Sequence, residues 1–328
     1  MVGRVAALDG VALLARAAAR RLAEPYDLLD KVALVTGGSR GLGFAIAEEL
    51  AGKGARLVLC ARDPERLERA RMLLAVRGAD VRAMRCDVSD RAQVERMVEE
   101  AGRVDLLVNN AGVIAVGPLE TQRVEDFEET HGIMFWGVVY ATYAVLPQMR
   151  ARGDGRIANV TSIGGKVSVP YLLPYNAAKF AAVGFSEGLR AELAGTGVAV
   201  TTVVPGLMRT GSYVAALFKG RRETMYRLFT PISATPLTTI SGRRAARKIV
   251  AAIERGDPEL ILTLHANLAT RASALAPGLT QRALGVVARA LPSGGDAEPL
   301  SGLEIDPAFD EAPLLGAGRR ARGDLNQP

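Results

Sequence analysis

The 328-residue sequence has only two cysteines and two histidines, which is few for a disulfide-stabilised or metal-binding protein. Its two cysteines, Cys60 and Cys86, lie in or near strand-like runs and are predicted to be small core residues in a reducing compartment, not a disulfide. Its two histidines, His131 and His265, are far apart, and no cluster of thiolates or carboxylates accompanies them. No metal site is therefore expected.

Long apolar runs and concentrated charge are also missing. No stretch has the roughly 18 to 20 uninterrupted apolar residues that a membrane-spanning helix needs, and none has a convincing signal-peptide cleavage pattern. The 41 Lys and Arg residues exceed the 35 Asp and Glu residues, but the arginines are dispersed and no nucleic-acid-binding motif is present. No nucleic acid partner is therefore expected.

What the sequence does contain is an alternation of strand and helix patterns from Lys31 to about Leu264. A parallel sheet with helices on both faces requires this alternation. Apolar residues make up 49% of the chain, which is ample for one core, and there is no internal repeat. The sequence predicts a single α/β domain built on a doubly wound parallel sheet.

A glycine-rich turn follows the first apolar run. Val32 to Val35 lead directly into Thr36-Gly37-Gly38-Ser39-Arg40-Gly41-Leu42-Gly43 and then into a helical pattern. Gly37, Gly41 and Gly43 permit a tight turn, close approach of a pyrophosphate to the backbone, and close packing of helix on strand. The pattern predicts a dinucleotide bound at a helix N-terminus.

Tyr175 and Lys179 are four positions apart in a helical pattern, which places a phenol and an ammonium on one face. A nearby ammonium lowers the pKa of a tyrosine towards the range of a general acid or base. Ser162 follows the strand-like run 157–160, at the edge of a parallel sheet where ligands bind. The alternative is an ordinary surface pair and an ordinary strand-end serine.

The motifs occur in the order and spacing of a known family. Together with Asp87, the run Asn109-Asn110-Ala111-Gly112, and Pro205-Gly206, they resemble the short-chain dehydrogenase/reductase family over residues 31 to about 265. The resemblance implies a Rossmann fold with Tyr175 as acid/base, Lys179 lowering its pKa and binding the nicotinamide ribose, and Ser162 orienting the substrate oxygen. The cofactor-binding residues that it implies, together with the glycine turn, are Gly37, Ser39, Arg40, Gly41, Leu42, Gly43, Arg62, Asp87, Val88, Asn110, Ala111, Gly112, Tyr175, Lys179, Pro205 and Gly206.

The choice of cofactor is predicted from the end of the second strand. An acidic residue there would bind a free ribose 2′-hydroxyl, but the chain reads Leu57-Val58-Leu59-Cys60-Ala61-Arg62. Arg62 and Arg40 could hold a 2′-phosphate through forked hydrogen bonds, so NADP(H) is favoured over NAD(H). Two alternatives stay open: the arginines are merely solvated, or Asp63 reaches the ribose.

One position departs from the family pattern. Counting back from Gly137 places Met134 where the family usually has an asparagine that supports a water chain to the lysine, and a thioether cannot donate a hydrogen bond. Backbone and water groups could suffice for Lys179. Otherwise the chain is an NADP(H)-binding regulatory or sensing protein with weak turnover.

A second catalytic motif competes with this assignment. Gly184-Phe185-Ser186-Glu187-Gly188 matches the G-x-S-x-G elbow of serine hydrolases. That elbow needs a strand before the serine, whereas the preceding residues have an Ala-rich helical pattern. Ser186 is therefore predicted to be an ordinary helical residue.

The segment from about 207 to 241 is predicted to be a lid over the reacting centre. Its bulky residues favour a lipophilic ketone or secondary alcohol as substrate, or else they only pack the lid onto the core or onto a partner subunit. These residues are Tyr213, Val214, Leu217, Phe218, Met225, Tyr226, Leu228 and Phe229.

The two ends of the chain lie outside the family resemblance. Residues 1–30 are predicted to form an amphipathic helical extension, 266–291 a second helical extension, and 292–328 a mobile tail rich in proline and glycine. The first extension is expected to pack on the domain, with membrane contact as the alternative, and the second could contact a membrane surface, a second subunit or the domain itself. The sequence thus predicts a cytoplasmic carbonyl reductase or alcohol dehydrogenase with peripheral membrane contact left open, and the resemblance implies a homodimer or homotetramer.

Overall fold

The computed structural model describes residues 24–236, 239–305 and 315–327. Its strands are β1 (Val32–Thr36), β2 (Arg56–Ala61), β3 (Val81–Arg85), β4 (Leu106–Asn109), β5 (Ala115–Val116), β6 (Gly155–Val160), β7 (Val198–Val204), β8 (Met208–Arg209), β9 (Leu217–Gly220), β10 (Ile240–Ser241), β11 (Glu259–Ile261) and β12 (Asp296–Ser301). Its α-helices are α1 (Gly41–Ala51), α2 (Pro64–Ala75), α3 (Arg91–Ala101), α4 (Val124–His131), α5 (Gly137–Arg152), α6 (Leu173–Glu192), α7 (Arg222–Ala234), α8 (Gly242–Arg255), α9 (Leu264–Leu275), α10 (Pro277–Ala290), α11 (Gly302–Ile305) and α12 (Gly316–Asp324).

The central sheet has seven parallel strands in the order β11-β7-β6-β4-β1-β2-β3. All five residues of β1 are buried, as expected for a strand covered on both faces. The strand order reverses between β1 and β4, and ligands bind at such a switch point, beyond the carboxyl ends of the strands. The doubly wound α/β fold predicted from the sequence is confirmed.

Two apolar cores hold helices on opposite faces of this sheet. On one face, Ala33 and Val35 of β1 pack with Phe44 of α1 and Ile249 of α8. On the other, residues of α3, α5 and α6 pack around the alternate β1 side chain, Leu34. Because successive strand residues point to opposite faces, one apolar strand contributes to both cores.

The predicted lid is a compact unit with its own core. Tyr213, Phe218 and Tyr226 are almost completely inaccessible to solvent and pack together with Met225. Strand β9 pairs with β5 on one side and with β12 on the other, which forms a small second sheet. Most of the bulky apolar residues predicted for the lid therefore serve its internal packing.

The ends of the chain differ in part from expectation. The sequence predicts a mobile tail at 292–328, but the described parts of that segment form β12, α11 and α12, because β12 finds a partner strand in the lid. Helices α9 and α10 occupy the region of the second extension. The first 23 residues, where the N-terminal helix is predicted, lie outside the described residues. Residues 24–30 form no helix, and Leu28 is buried in the core.

Within the residues that the structure describes, no helix combines the length and the apolarity needed to cross a bilayer.

Candidate functional site

The glycine turn adopts a backbone that side chains would obstruct. Gly37 and Gly41 have φ angles of 62° and 59°, in the left-handed region that favours glycine. A Cβ added at Gly43 would collide with the carbonyl oxygen of Gly37. Helix α1 begins at Gly41, so its N-terminal backbone N–H groups lie at the turn, which is the arrangement that attracts a phosphate.

Thr36 and Asn110 attach this turn to the end of β4. The Thr36 hydroxyl oxygen accepts hydrogen bonds from the backbone N–H of Asn110 at 2.9 Å and of Ala111 at 3.1 Å. The Asn110 amide donates to the carbonyl oxygens of Thr36 at 3.1 Å and Gly37 at 3.2 Å. Asn110 thus holds the backbone of the glycine turn in place through its side-chain amide. This role of Thr36 was not predicted from the sequence. The signal for it was a polar residue at the end of an apolar strand, directly before a glycine turn.

The three candidate catalytic side chains come together at the carboxyl end of β6. Ser162 follows β6, and Tyr175 and Lys179 lie one turn apart in the first half of α6. The Ser162 hydroxyl oxygen accepts a hydrogen bond from Gly164 N–H at 3.0 Å and is hydrogen-bonded to Tyr175. The Lys179 ammonium donates to the Val160 carbonyl oxygen at 2.9 Å and lies 5.9 Å from the centre of the Tyr175 ring.

Burial sets the protonation of this group. It lowers the pKa of Lys179 to about 8, because the charged amine is poorly solvated. It also raises the pKa of Tyr175, and the hydrogen bond with Ser162 only partly opposes that rise. The sequence predicts that Lys179 lowers the pKa of Tyr175. That prediction is wrong for the structure described here, because the pKa of Tyr175 is raised. Desolvation of the phenolate has the largest effect, and the Lys179 ammonium donates to a backbone carbonyl oxygen.

Three guanidinium groups lie close together near the glycine turn. Burial lowers the pKa of Arg40, and the positive charges of Arg66 and Arg62 lower it further. The Asp63 carboxylate is already engaged: it accepts a hydrogen bond from Arg66 N–H at 3.0 Å, which caps α2, and forms an ion pair with the Arg66 side chain at 2.9 Å. These engagements weigh against the alternative in which Asp63 reaches a ribose.

The remaining predicted residues flank this crevice. The Asp87 carboxylate accepts hydrogen bonds from Ser89 N–H at 3.0 Å and from the Ser89 hydroxyl at 2.7 Å. Val88 is buried against the start of α5. The Pro205 carbonyl oxygen accepts from Ile163 N–H at 2.8 Å, which connects the Pro205-Gly206 turn to the loop that follows Ser162.

Met134, predicted to replace the family's asparagine, packs beside Gly112. Its sulfur atom is 3.6 Å from the position that a Cβ on Gly112 would occupy. The side chain is fully buried in the second apolar core and belongs to a π-helical turn, Gly132–Trp136. Packing accounts for the methionine, and the Val160 carbonyl is a backbone acceptor for Lys179 that needs no asparagine.

Ser186 has none of the exposure that a nucleophile needs. It lies within α6 and is completely buried. Its hydroxyl accepts a hydrogen bond from the Asn159 amide at 2.9 Å and shares another with the Thr202 hydroxyl at 2.7 Å. The prediction that Ser186 is a helical residue is confirmed, and the hydrolase elbow is excluded.

The residues around the glycine turn fit the pyrophosphate of a dinucleotide. The glycine turn leaves no room for side chains, a helix N-terminus faces it, and guanidinium groups lie beside it. A shallow cavity of about 950 Å³ lies elsewhere, along α2, and contains none of the candidate catalytic residues. Among the described residues, no three His, Cys, Asp or Glu side chains are grouped as metal ligands would be.

Comparison with known proteins agrees with this geometry. The family model described as short chain dehydrogenase matches residues 31–217. SadH of Mycobacterium tuberculosis, a protein named as an oxidoreductase, is 36% identical to this chain over 243 residues, which cover 72% of this chain and 87% of SadH. A short chain dehydrogenase/reductase from Burkholderia phymatum, solved with NAD, superposes with a TM-score of 0.71 at 28% identity, covering 77% of this chain and 96% of its own. A single-residue variant of actinorhodin polyketide ketoreductase, solved with NADPH, gives a TM-score of 0.62 at 31% identity, with 71% of this chain and 95% of its own covered.

Proposed function

The chain belongs to the short chain dehydrogenase family of oxidoreductases, and from that premise we propose that it interconverts a carbonyl and a secondary alcohol with NADP(H). One observation carries the proposal. Ser162, Tyr175 and Lys179 meet at the end of β6, beside a crevice shaped for a dinucleotide. A screen of carbonyl and alcohol substrates, followed by NADPH absorbance, tests it. Cofactor binding without turnover of any substrate contradicts it.

Each candidate side chain has a role that follows from its surroundings. When bound, the nicotinamide supplies or accepts the hydride. The Ser162 hydroxyl holds the substrate oxygen by a hydrogen bond. The Tyr175 phenol, whose pKa burial raises, is protonated at neutral pH and donates its proton to that oxygen during carbonyl reduction. The Lys179 ammonium keeps positive charge beside the phenol and favours the phenolate that remains.

The preference for NADP(H) rests on the arginines at the phosphate end. Arg40 and Arg62 can both approach a 2′-phosphate, and forked guanidinium–phosphate hydrogen bonds are among the strongest in proteins. No free carboxylate at the end of β2 competes for a ribose, since Asp63 is engaged with Arg66. Comparing KM for NADPH and NADH tests the preference, and a clear preference for NADH contradicts it.

A lipophilic substrate is supported by apolar residues around the start of α6. Tyr171 and Leu172 directly precede the helix that carries Tyr175, and with Ile114 they pack, partly exposed, against the buried core of the lid. The lid aromatics themselves are internal and give no separate support. Long-chain or polycyclic carbonyls should have a higher kcat/KM than small polar ones. A preference for sugars contradicts this substrate class.

The alternative, a sensing protein with weak turnover, is motivated by Met134. Its distinguishing observation is dinucleotide binding without oxidation or reduction across a broad panel of substrates. The hydrogen bond from Lys179 to the Val160 carbonyl favours the enzyme, because the amine has a fixed partner despite the methionine.

A homodimer or homotetramer is proposed from three exposed aromatic side chains. Trp136 is 47% exposed, Tyr143 63% and Phe180 44%, and they lie on elements from the π-helical turn to α6. Large exposed aromatic side chains are typical of protein interfaces. Light scattering tests the assembly, and a monomer at micromolar concentration contradicts it.

A cytoplasmic location with peripheral membrane contact is proposed from two features. Cys60 and Cys86 are free and buried, as in reducing compartments. Helices α9 and α10 expose apolar side chains, and residues 260–295 contain three arginines and no acidic residue, a composition that suits an anionic lipid surface. Co-sedimentation with anionic but not neutral vesicles would support the contact, and no sedimentation with either would contradict it.

A further inference from the structure

The stretch Leu325-Asn326-Gln327, here called the tail segment, lies on the glycine turn. The Leu325 carbonyl oxygen accepts a hydrogen bond from Gly41 N–H at 2.8 Å. The Asn326 amide donates to the Ser39 carbonyl oxygen at 2.7 Å. These contacts join parts of the chain that are almost three hundred positions apart.

Packing anchors the tail segment in this position. Leu325 is buried in the main apolar core and contacts Gly242 at the start of α8. Asn326 is buried with a φ of 53°, a left-handed conformation that asparagine tolerates better than most residues. The Gln327 N–H donates to the Arg322 carbonyl oxygen at 3.0 Å, which turns the backbone sharply after α12.

Gln327 covers the face of the turn that glycine leaves open. Its amide nitrogen is 2.7 Å from the position that a Cβ on Gly41 would occupy, with Thr210 at 3.9 Å from the same point. Its amide oxygen accepts a hydrogen bond from the Arg40 guanidinium at 3.5 Å. A glycine in such a turn allows a pyrophosphate to approach the backbone. Here a side-chain amide of the same chain fills that space.

Two groups that could bind a phosphate, the Gly41 N–H and the Arg40 guanidinium, are therefore already hydrogen-bonded to the tail segment. The Gly41 N–H is the first donor of α1, and a helix N-terminus attracts phosphate through such donors. The Arg40 guanidinium is one of the two proposed to hold a 2′-phosphate. Hydrogen bonds to neutral amide and carbonyl oxygens are weaker than those to a phosphate, so a bound dinucleotide can displace them.

We propose that the tail segment is a displaceable cover over the phosphate end of the cofactor site, and that it opens when NADP(H) binds. The proposal rests on the proposed function for the dinucleotide site itself and for the choice of NADP(H). A cover that is closed most of the time raises the apparent Kd by the reciprocal of the open fraction. Removing its contacts should therefore tighten binding.

The test measures NADPH and NADH binding by fluorescence titration. Gln327→Ala removes the amide from Gly41 and Arg40, and Asn326→Gly removes the bond to Ser39 while tolerating the positive φ. Both keep the Leu325 anchor in the core. A chain that ends at Asp324 removes the whole segment. Asp324→Ala is the matched control, because that residue is exposed.

The expected result is a Kd for NADPH that falls a few-fold in each point variant and about tenfold in the truncated chain, in keeping with release of a closed state, with no change in the control. Amide hydrogen exchange of residues 325–327 in the wild-type chain should become faster when NADPH is added.

Three other results would overturn the cover. A Kd that is unchanged or higher in the point variants, or slower exchange of residues 325–327 on binding, would make the tail segment a fixed wall of the site. If no variant binds either dinucleotide, the proposed function fails and the cover fails with it. Binding with an unchanged Kd rejects the cover alone.

Discussion

The two ends of the candidate cofactor site are built by different means. At the end that carries Ser162, Tyr175 and Lys179, the hydrogen bonds of Ser162 and Lys179 are made within residues 160–179. At the phosphate end, Ser39 is bonded to a residue 287 positions away. Short-range contacts connect the side chains of the first end, whereas the second end is contacted by a distant segment that we propose is displaced by the dinucleotide.

The strongest test of the first end is Tyr175→Phe. Removing the hydroxyl should lower kcat/KM by roughly 10² to 10⁴, the contribution expected of a general acid. The Kd for NADPH should stay within a few-fold of the wild-type value. Tyr171→Phe is the matched control, because that hydroxyl bonds only the Pro292 carbonyl among the contacts of the described chain. Equal losses in both variants would contradict the role of Tyr175.

Burial of Lys179, at the same end, should make the free energy of unfolding depend on pH. Its pKa falls from 10.5 to about 8 on folding, so the unfolded chain binds more protons between these values. The free energy of unfolding of the wild type, relative to Lys179→Met, should therefore rise by about 3 kcal/mol as pH rises from 8 to 10.5. Urea unfolding of both chains across this range measures the difference. A difference that is flat with pH would show that the amine is not desolvated.

The phosphate end is tested by Arg62→Ala. Loss of one charge-assisted hydrogen bond to a 2′-phosphate, about 1.5 to 3 kcal/mol, should raise the Kd for NADPH roughly 10- to 100-fold. The Kd for NADH should not change. Arg71→Ala is the control, because Arg71 lies on α2 and forms an ion pair with Glu68. A parallel loss of affinity for both dinucleotides would place Arg62 away from the 2′-position.

Met134→Asn is expected to have the smallest effect. If the Val160 carbonyl suffices as a partner for Lys179, kcat should be equal or higher, although burying an amide costs about 1–3 kcal/mol of stability. Met134→Leu keeps the volume and polarity of the side chain and should leave kcat unchanged. A large fall in kcat for Met134→Asn, with NADPH affinity unchanged, would mean that the methionine itself is required.

Sequence reasoning recovered the features that depend on local spacing. The strand, glycine turn and helix at 32–51, the grouping of Tyr175 with Lys179, and the helical position of Ser186 all follow from short-range periodicity. A count back from Gly137 identified Met134 as the residue that replaces the family's asparagine, but its position beside Gly112 is seen only in the structure.

The features that were missed depend on tertiary contacts. The direction of the Tyr175 pKa depends on burial, which the spacing of a motif does not encode. Asp63 is engaged by a helix cap that forms only once α2 begins at Pro64. The ordered segment after Pro292 was predicted to be mobile from its proline and glycine content, but its order comes from the partners it meets, β9 and the glycine turn.

The small sheet of β5, β9 and β12 has a consequence for how the predicted lid can move. Strand β9 of the predicted lid is paired on both sides, with β5 and with β12, and its residue Lys219 is buried in an ion pair with Asp126. Displacing β9 thus requires breaking strand pairs as well as moving a loop. Substitutions along residues 296–301, which are distant in sequence from every motif of the family, are then expected to shift β9 while Ser162, Tyr175 and Lys179 stay in place.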